Sequence, residues 1–294
     1  MQVTQSDILM KMNEDLNVIR TAFLTAFPKI FTDIPYSFDI FQSALKLSEQ
    51  NGITFHPEQF TAKMSVEIEA RYKAASKLLS NTINTLEKPP IVIEIAAGLS
   101  PRSLEFQNVD YREIDFPLIM EQKSQIFRDI NRSDSTNNLI GLDLTDTAKL
   151  RDIIDQIINQ NPDHSLIFLS EGLFWYLTRE DIANLSQIIG SALKTAGGCW
   201  ISTDCPVDAQ YIPETAEQYR SVILNSSGKD QKPFHTQAEF VEFFQNAGFS
   251  VKTQKLFDLV DQSAIRSAKL FGYSDQEIAA KINSYTDIST LSYN

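Results

Sequence analysis

The hydrophobic pattern divides the chain in two. Up to residue 88 the apolar positions recur at helical spacing. Ile8, Met12, Leu16, Ile19, Phe23 and Phe27 form one stripe running to Pro28. Phe38, Phe41, Ala44 and Leu45 form a second, closed by Asn51-Gly52. A third runs through Phe60, Met64, Ile68, Tyr72, Ala75, Leu79, Ile83 and Leu86. No strand is expected before Ile91, so residues 1–88 read as a helical cap or lid ahead of a domain over 89–294.

From Ile91 strands and helices alternate. Ile91, Val92, Ile93 and Ile95 make a short β-branched run after Pro89-Pro90, as expected of a strand buried on both faces. It ends in Ala96-Ala97-Gly98, small residues that let a ligand approach the backbone. Ser100 is placed to cap a helix with Pro101 at its first position. Further strands are predicted at Asp110–Ile114, Leu139–Leu144, Leu166–Leu169, Cys199–Thr203 and Phe249–Phe257, with a last edge strand at Thr286–Ser292. Between them lie helices opened by Pro117, by Thr145, by the Thr178/Asp181 pair and by Thr236 with Glu239. Others are expected around Ala216–Leu224, over Leu259–Phe271 and after Ser274 with Glu277. Residues 205–235 are less regular and read as a substrate-side insertion. The fold class that follows is α/β: a Rossmann-like, mostly parallel seven-stranded sheet flanked by helices, with an N-terminal helical cap.

Composition narrows the partners. The 294 residues carry a formal net charge of −12, which argues against a nucleic-acid backbone or an anionic membrane and suits a soluble protein. Two cysteines, Cys199 and Cys205, are too close along one extended segment to bridge easily; a reducing, cytoplasmic setting is expected. The start MQVTQSDILM lacks the basic and apolar regions of a signal peptide, and no apolar run reaches the ~18 residues of a membrane span. Three histidines and no Cys/His cluster give no expectation of a metal.

In an open α/β sheet the ligand lies beyond the carboxyl ends of the strands, at the switch in strand order. Those positions here are Gly98, Asp115, Asp143 and Glu171. A carboxylate after the second strand can accept from both hydroxyls of a ribose; one after the third can accept from an adenine amino group; one after the fourth can hold an ammonium. Each has a plainer reading. Asp115 could be an N-cap before Pro117, Asp143 could cap the following helix with Asp146 beside it, and Glu171-Gly172 could be a solvated turn. Glu94, inside the first strand, requires a partner. Taken in register, the acids favour a binding site.

The order EIAAGLSPR, YREIDFPLIMEQK, LDLTD and LSEGLFWYL resembles the class I S-adenosylmethionine-dependent methyltransferases. Within them it is similar to the leucine carboxyl methyltransferase group and its polyketide-type O-methyltransferase relatives, over about residues 60–204. The resemblance implies S-adenosyl-L-methionine as cofactor, S-adenosyl-L-homocysteine as product and a small-molecule methyl acceptor. It places Ala96 and Gly98 under the cofactor with Glu94 supporting their loop, Asp115 on the ribose, Asp143 and Leu144 around the adenine, and Glu171 near the methionine moiety. Arg71 in EARYKAAS stands where relatives place an arginine for the methionine carboxylate; as a bare sequence feature it is equally a surface helix arginine. Ala96 and Ser100 stand where relatives usually have glycine and aspartate, and alanine costs little there only if its φ is negative.

The acceptor chemistry is less defined. A carboxylate nucleophile needs no base at neutral pH, whereas a hydroxyl does. Tyr176, Asp204 and His235 are the candidates near the later strand ends; Tyr176 also reads as packing or a substrate wall, Asp204 as a turn residue and His235 as an incidental loop histidine. Phe174, Trp175 and Tyr176 read either as a cavity wall or as core. The rival functions are a nicotinamide-dependent dehydrogenase, which should carry Gly-x-Gly-x-x-Gly where only Gly98 stands, and a non-catalytic nucleoside-binding relative.

Overall fold

Strand β1, Pro90–Ile95, is the centre of the molecule: all of Ile91–Ile95 is buried. In the computed structural model, residues 22–23, 25–50, 62–206, 233–282 and 286–294 are described. The β-branched run pairs on one side with β2, Asp110–Asp115, and on the other with β4, Ser165–Ser170, both parallel. β3, Leu139–Gly141, extends the sheet beyond β2, and β5, Gly198–Pro206, beyond β4. β6, Phe249–Lys255, and β7, Thr286–Tyr293, complete seven strands in the order β3-β2-β1-β4-β5-β7-β6. The order reverses between β1 and β4, which is where a doubly wound sheet opens its binding crevice.

Alternation within the strands decides what each face holds. Ile91, Ile93 and Ile95 face a core shared with Phe168, Trp200 and the helices α5, Thr147–Gln160, and α6, Arg179–Ala196. On the opposite face Val92, Ile167, Leu169 and Ile201 pack against helix α2, Ala62–Ile83. Ala70, Ala74 and Ala75 line the contact side of α2, so this helix lies close on the sheet. Helix α1, Ser37–Gln50, and the 3-10 turn Phe27–Phe31 form a further cluster with α4, Pro117–Asp129. Pro117 opens α4 as expected, and the Thr178/Asp181 capping box opens α6. Thr236 caps α7, Gln237–Asn246, which sets Phe240 and Phe244 against Phe174 and Trp200 in an aromatic core.

Several local expectations are corrected. Helix α3 is only Arg102–Glu105; Pro101 is its cap residue, and Ser100 Oγ merely accepts from Arg102 N at 3.4 Å. Strand β3 stops at Gly141, because Asp143 folds into a turn with its carboxylate accepting from Thr145 N and Oγ1. Asp146, not Thr145, caps α5 by accepting from Lys149 N. Phe38, placed on the apolar stripe of α1, is exposed. The helix expected over 259–271 is broken into a 3-10 turn at Gln262–Ala264 and a short helix α8, Arg266–Leu270. Helix α9, Asp275–Ile282, follows Ser274 and Glu277 as expected. β7 is no edge strand: it runs antiparallel between β5 and β6, which leaves β6 at the edge. The stripe from Ile8 to Ile19, Phe60 and the helix expected at 216–224 lie outside the described residues.

Candidate active site

The loop after β1 is turned by two left-handed residues, Ala96 at φ 54° and Gly98 at φ 48°. Gly98 is the permissive residue that position asks for, and a Cβ built there would meet nothing within 4 Å, so the loop faces open space. Ala96 is not permissive. Its positive φ overturns the condition under which alanine would be harmless, and the left-handed region costs an L-residue roughly 1–2 kcal/mol.

Asp115 ties this loop to the end of β2. Its Oδ2 accepts from Gly98 N and its Oδ1 from Phe116 N, both at 2.7 Å. Burial raises its pKa, the two backbone donors oppose that rise, and the net shift is upward. Each oxygen keeps a second lone pair, so two further donors, such as a pair of vicinal hydroxyls, fit the same carboxylate. The backbone carbonyl of Asp115 accepts from Leu142 N at 2.7 Å, which draws the β3 end alongside. Asp143 and Leu144 follow there, half-buried, with the Asp143 carboxylate folded onto Thr145.

Across the switch point the site is built from charge. Register places Glu94 of β1 beside Glu113 of β2 on one face of the sheet, an arrangement that requires cations. Lys123 of α4 meets Glu113 at 2.7 Å, both fully buried. Glu94 is held by the Arg102 guanidinium and by Tyr111 Oη at 2.6 Å. Arg102 is 0% exposed, stacks on the Tyr72 ring at 4.2 Å, and extends its other terminal nitrogen to Glu171 Oε2 at 2.7 Å. Arg71 Nε donates to the second oxygen, Glu171 Oε1, at 3.2 Å. The Arg71 guanidinium also lies 3.8 Å from Glu67 Oε1.

Glu171 thus bridges two arginines. Burial pushes its pKa up, but Arg102, Arg71 and Lys29 together outweigh that and hold it at about 2. Lys29 is buried on the 3-10 turn Phe27–Phe31, 5.5 Å from the centroid of the Tyr72 ring. Desolvation lowers its ammonium to about 8, partly offset by Glu171. Arg102 and Lys29 belong to the charge cluster around Glu171, and the sequence pattern did not single them out. A signal for Arg102 existed: an acid inside the apolar first strand, Glu94, with an arginine eight residues on. Lys29 had none, since it reaches the site from a turn outside the alternating region.

Of the remaining candidates, Asp204 lies at the carboxyl end of β5, with Oδ1 accepting from Phe174 N at 3.3 Å and Oδ2 from Ser202 Oγ at 3.1 Å. Burial pushes it up to about 6. Trp175 and Tyr176 are half-buried on the turn after β4, whereas Phe174 is core, 5.6 Å from Trp200. His235 is exposed; its backbone N–H donates to Glu239 at the start of α7. Among the described residues there is no cluster of metal-ligating side chains, and no helix is long and apolar enough to cross a membrane.

The leucine carboxyl methyltransferase profile matches residues 41–190, just over half of the chain. This chain belongs to the leucine carboxyl methyltransferase family. The matched span holds Arg71, Glu94, Asp115, Asp143 and Glu171 and ends within α6. No curated protein matches the sequence significantly. Solved structures with a similar outline include a Nostoc punctiforme protein described as a candidate O-methyltransferase, at 14% identity over 92% of this chain and 72% of that one, TM-score 0.46. The mitomycin 7-O-methyltransferase MmcR is 11% identical over 90% and 70%, TM-score 0.47. PigF with SAH is 11% identical over 87% and 70%, TM-score 0.47.

Proposed function

We propose that this member of the family binds S-adenosyl-L-methionine across the β1/β4 switch and transfers its methyl group to an oxygen of a small molecule. One observation carries the reading: a ribose-competent acid, Asp115, lies two strands from an ionised acid, Glu171, held among three cations. That pairing suits a ligand with a diol at one end and an amino acid at the other.

The chain's own residues would divide the work. Asp115 takes the ribose hydroxyls, and Gly98 leaves room for the ligand over the loop. Asp143 and Leu144 frame the base from the β3 end. Glu171 accepts from the ammonium, while Arg71 and Lys29 face the carboxylate. Glu94 and Arg102 touch no ligand in this reading; they hold Glu171 in place. When bound, the cofactor supplies a methyl group already activated by its sulfonium, so the protein's task is alignment and exclusion of water. Lys29 reaches the site from the 3-10 turn Phe27–Phe31, and Arg71 from α2.

A thermal-shift titration tests the binding half. Both S-adenosylmethionine and S-adenosylhomocysteine should raise the melting temperature in a saturable way. Stabilisation by neither would overturn the reading. The oxygen half is tested by product analysis: a methyl ether or ester supports it, and an N- or C-methyl product contradicts it.

A further inference from the structure

Of the cations around Glu171, two share one aromatic ring. Tyr72, the residue after Arg71 on α2, is buried, with its ring centroid 4.2 Å from Arg102 Cζ and 5.5 Å from Lys29 Nζ. Arg102 and Lys29 are buried as well. Arg102 has carboxylate partners in Glu94 and Glu171. Lys29 is placed differently: Glu171 and Glu94 attract it through space, and Arg102 and Lys123 repel it. A ring face attracts a cation within about 6 Å, and more strongly where water is excluded. Tyr72 therefore offers Lys29 an attraction that needs no further buried anion.

Glu105 strengthens that ring face. Arg102 and Glu105 lie three residues apart on α3, on one side of the helix. Arg102 stacks on the ring, and the Tyr72 hydroxyl donates to Glu105 Oε1. A phenol that gives its hydrogen bond to an anion is polarised towards the phenolate, which enriches its ring in electrons. Burial raises the Tyr72 phenol well above its usual range; Arg102 opposes that rise and Glu105 adds to it, so the phenol stays protonated and a donor.

We propose that Tyr72 is a positioning residue: its ring keeps the Lys29 ammonium charged and in place for the ligand carboxylate, and Glu105 tunes that ring through the hydroxyl. This rests on the cofactor reading above. The groups around Lys29 are Glu171 from the turn after β4, Arg102 and Glu105 from α3, Glu94 from β1, Lys123 from α4 and the Tyr72 ring from α2. Burial lowers Lys29 to about 8, so a modest loss of attraction removes its charge in the neutral range. Without the ring its titration should move down by about one pH unit.

The test replaces Tyr72 in the whole chain by Phe, by phenylalanines bearing one, two and three ring fluorines, and by Leu. Fluorine withdraws electrons from the ring face and leaves its shape almost unchanged. Lys29 is followed without ligand by NMR of isotope-labelled lysine side chains, with Lys29→Arg giving the assignment. Its midpoint should fall stepwise with fluorine count, and by about one pH unit in Tyr72→Leu. Titration of Tyr72→Leu with S-adenosylhomocysteine should show binding weakened roughly five- to tenfold at pH 8 and less than about twofold at pH 6. Glu105→Gln should lower the midpoint when Tyr72 is present, and by less in Tyr72→Phe, which has no hydroxyl to polarise. A ring that only fills space would leave the midpoint indifferent to fluorine and weaken binding equally at every pH. Either result, or an equal effect of Glu105→Gln in both backgrounds, overturns the proposal. Should Tyr72→Leu fail to fold, the fluorinated series, read by the same midpoint and the same binding ratio between pH 8 and pH 6, decides alone. A midpoint that follows fluorine in chains that bind no S-adenosylhomocysteine removes the cofactor reading instead.

Discussion

The two ends of the site are made differently. At the end of β2 the ligand surface is mostly backbone: Asp115 bonds to the N–H groups of Gly98 and Phe116, and Gly98 leaves open space. At the end of β4 it is side-chain charge: Arg102, Arg71, Lys29, Glu94 and Glu171 support one another from five separate segments of the chain. Backbone contacts tolerate a change of side chain and penalise a change of loop conformation. A buried charge network does the reverse, since each member removed leaves another charge unpaired.

The largest effect is expected at Arg102. Arg102→Met leaves Glu94 and Glu171 facing each other without their shared cation and should cost about 3–5 kcal/mol in denaturant unfolding. The double variant Arg102→Met/Glu94→Gln should recover part of that loss, because one buried charge is removed with its partner. A cost near zero for Arg102→Met alone would show that the network is not holding the site.

Asp115→Ala strikes the backbone end. It removes two charge-assisted bonds to the loop, and cofactor affinity should fall roughly 100-fold, about 2.7 kcal/mol, in a binding titration. Asp115→Asn, which keeps one acceptor oxygen, should fall less.

The backbone end was also the legible one. Asp115, Gly98 and Pro117 follow one another locally, so a strand rule and a cap rule suffice to find them. The buried run Ile91–Ile95 and the capping box at Thr178 and Asp181 were visible for the same reason. The charged end depends on partners far apart in sequence: Arg71 bonds to Glu171, and Lys29 lies in the field of Glu171 and Arg102. No local periodicity encodes such contacts. Strand β7 shows the same limit, since its residues read as a strand but only long-range pairing places it between β5 and β6. Helix α3 misled because a serine and a proline announced a helix that lasts four residues.

Lys29 makes the charged end sensitive to pH. Its ammonium, lowered to about 8 by burial, is charged below that value and neutral above it. A ligand carboxylate beside it favours the charged form, so binding above pH 8 must take up a proton. Cofactor affinity should therefore be highest below pH 8 and fall by up to tenfold per pH unit above it. Lys29→Met should weaken binding and flatten that limb, leaving only the titration of the cofactor's own ammonium. An identical pH profile in the variant would place Lys29 outside the site.

Ala96 gives the smallest effect. Relief of its left-handed φ by Ala96→Gly is worth roughly 1–2 kcal/mol, set against about 0.5–1 kcal/mol of extra unfolded-chain entropy. Thermal unfolding should show a gain of about 0.5–1 kcal/mol. A loss would mean that the packing of the Ala96 methyl outweighs its backbone strain.

In the proposed function both ends hold one molecule. Calorimetric titration of the chain with S-adenosylmethionine, run in parallel on Asp115→Ala and Arg71→Ala, addresses it most directly. The parent should show a single saturable site and each variant a marked loss of affinity, from opposite ends of the sheet. Binding left unchanged by either substitution, or no binding in the parent, would contradict it.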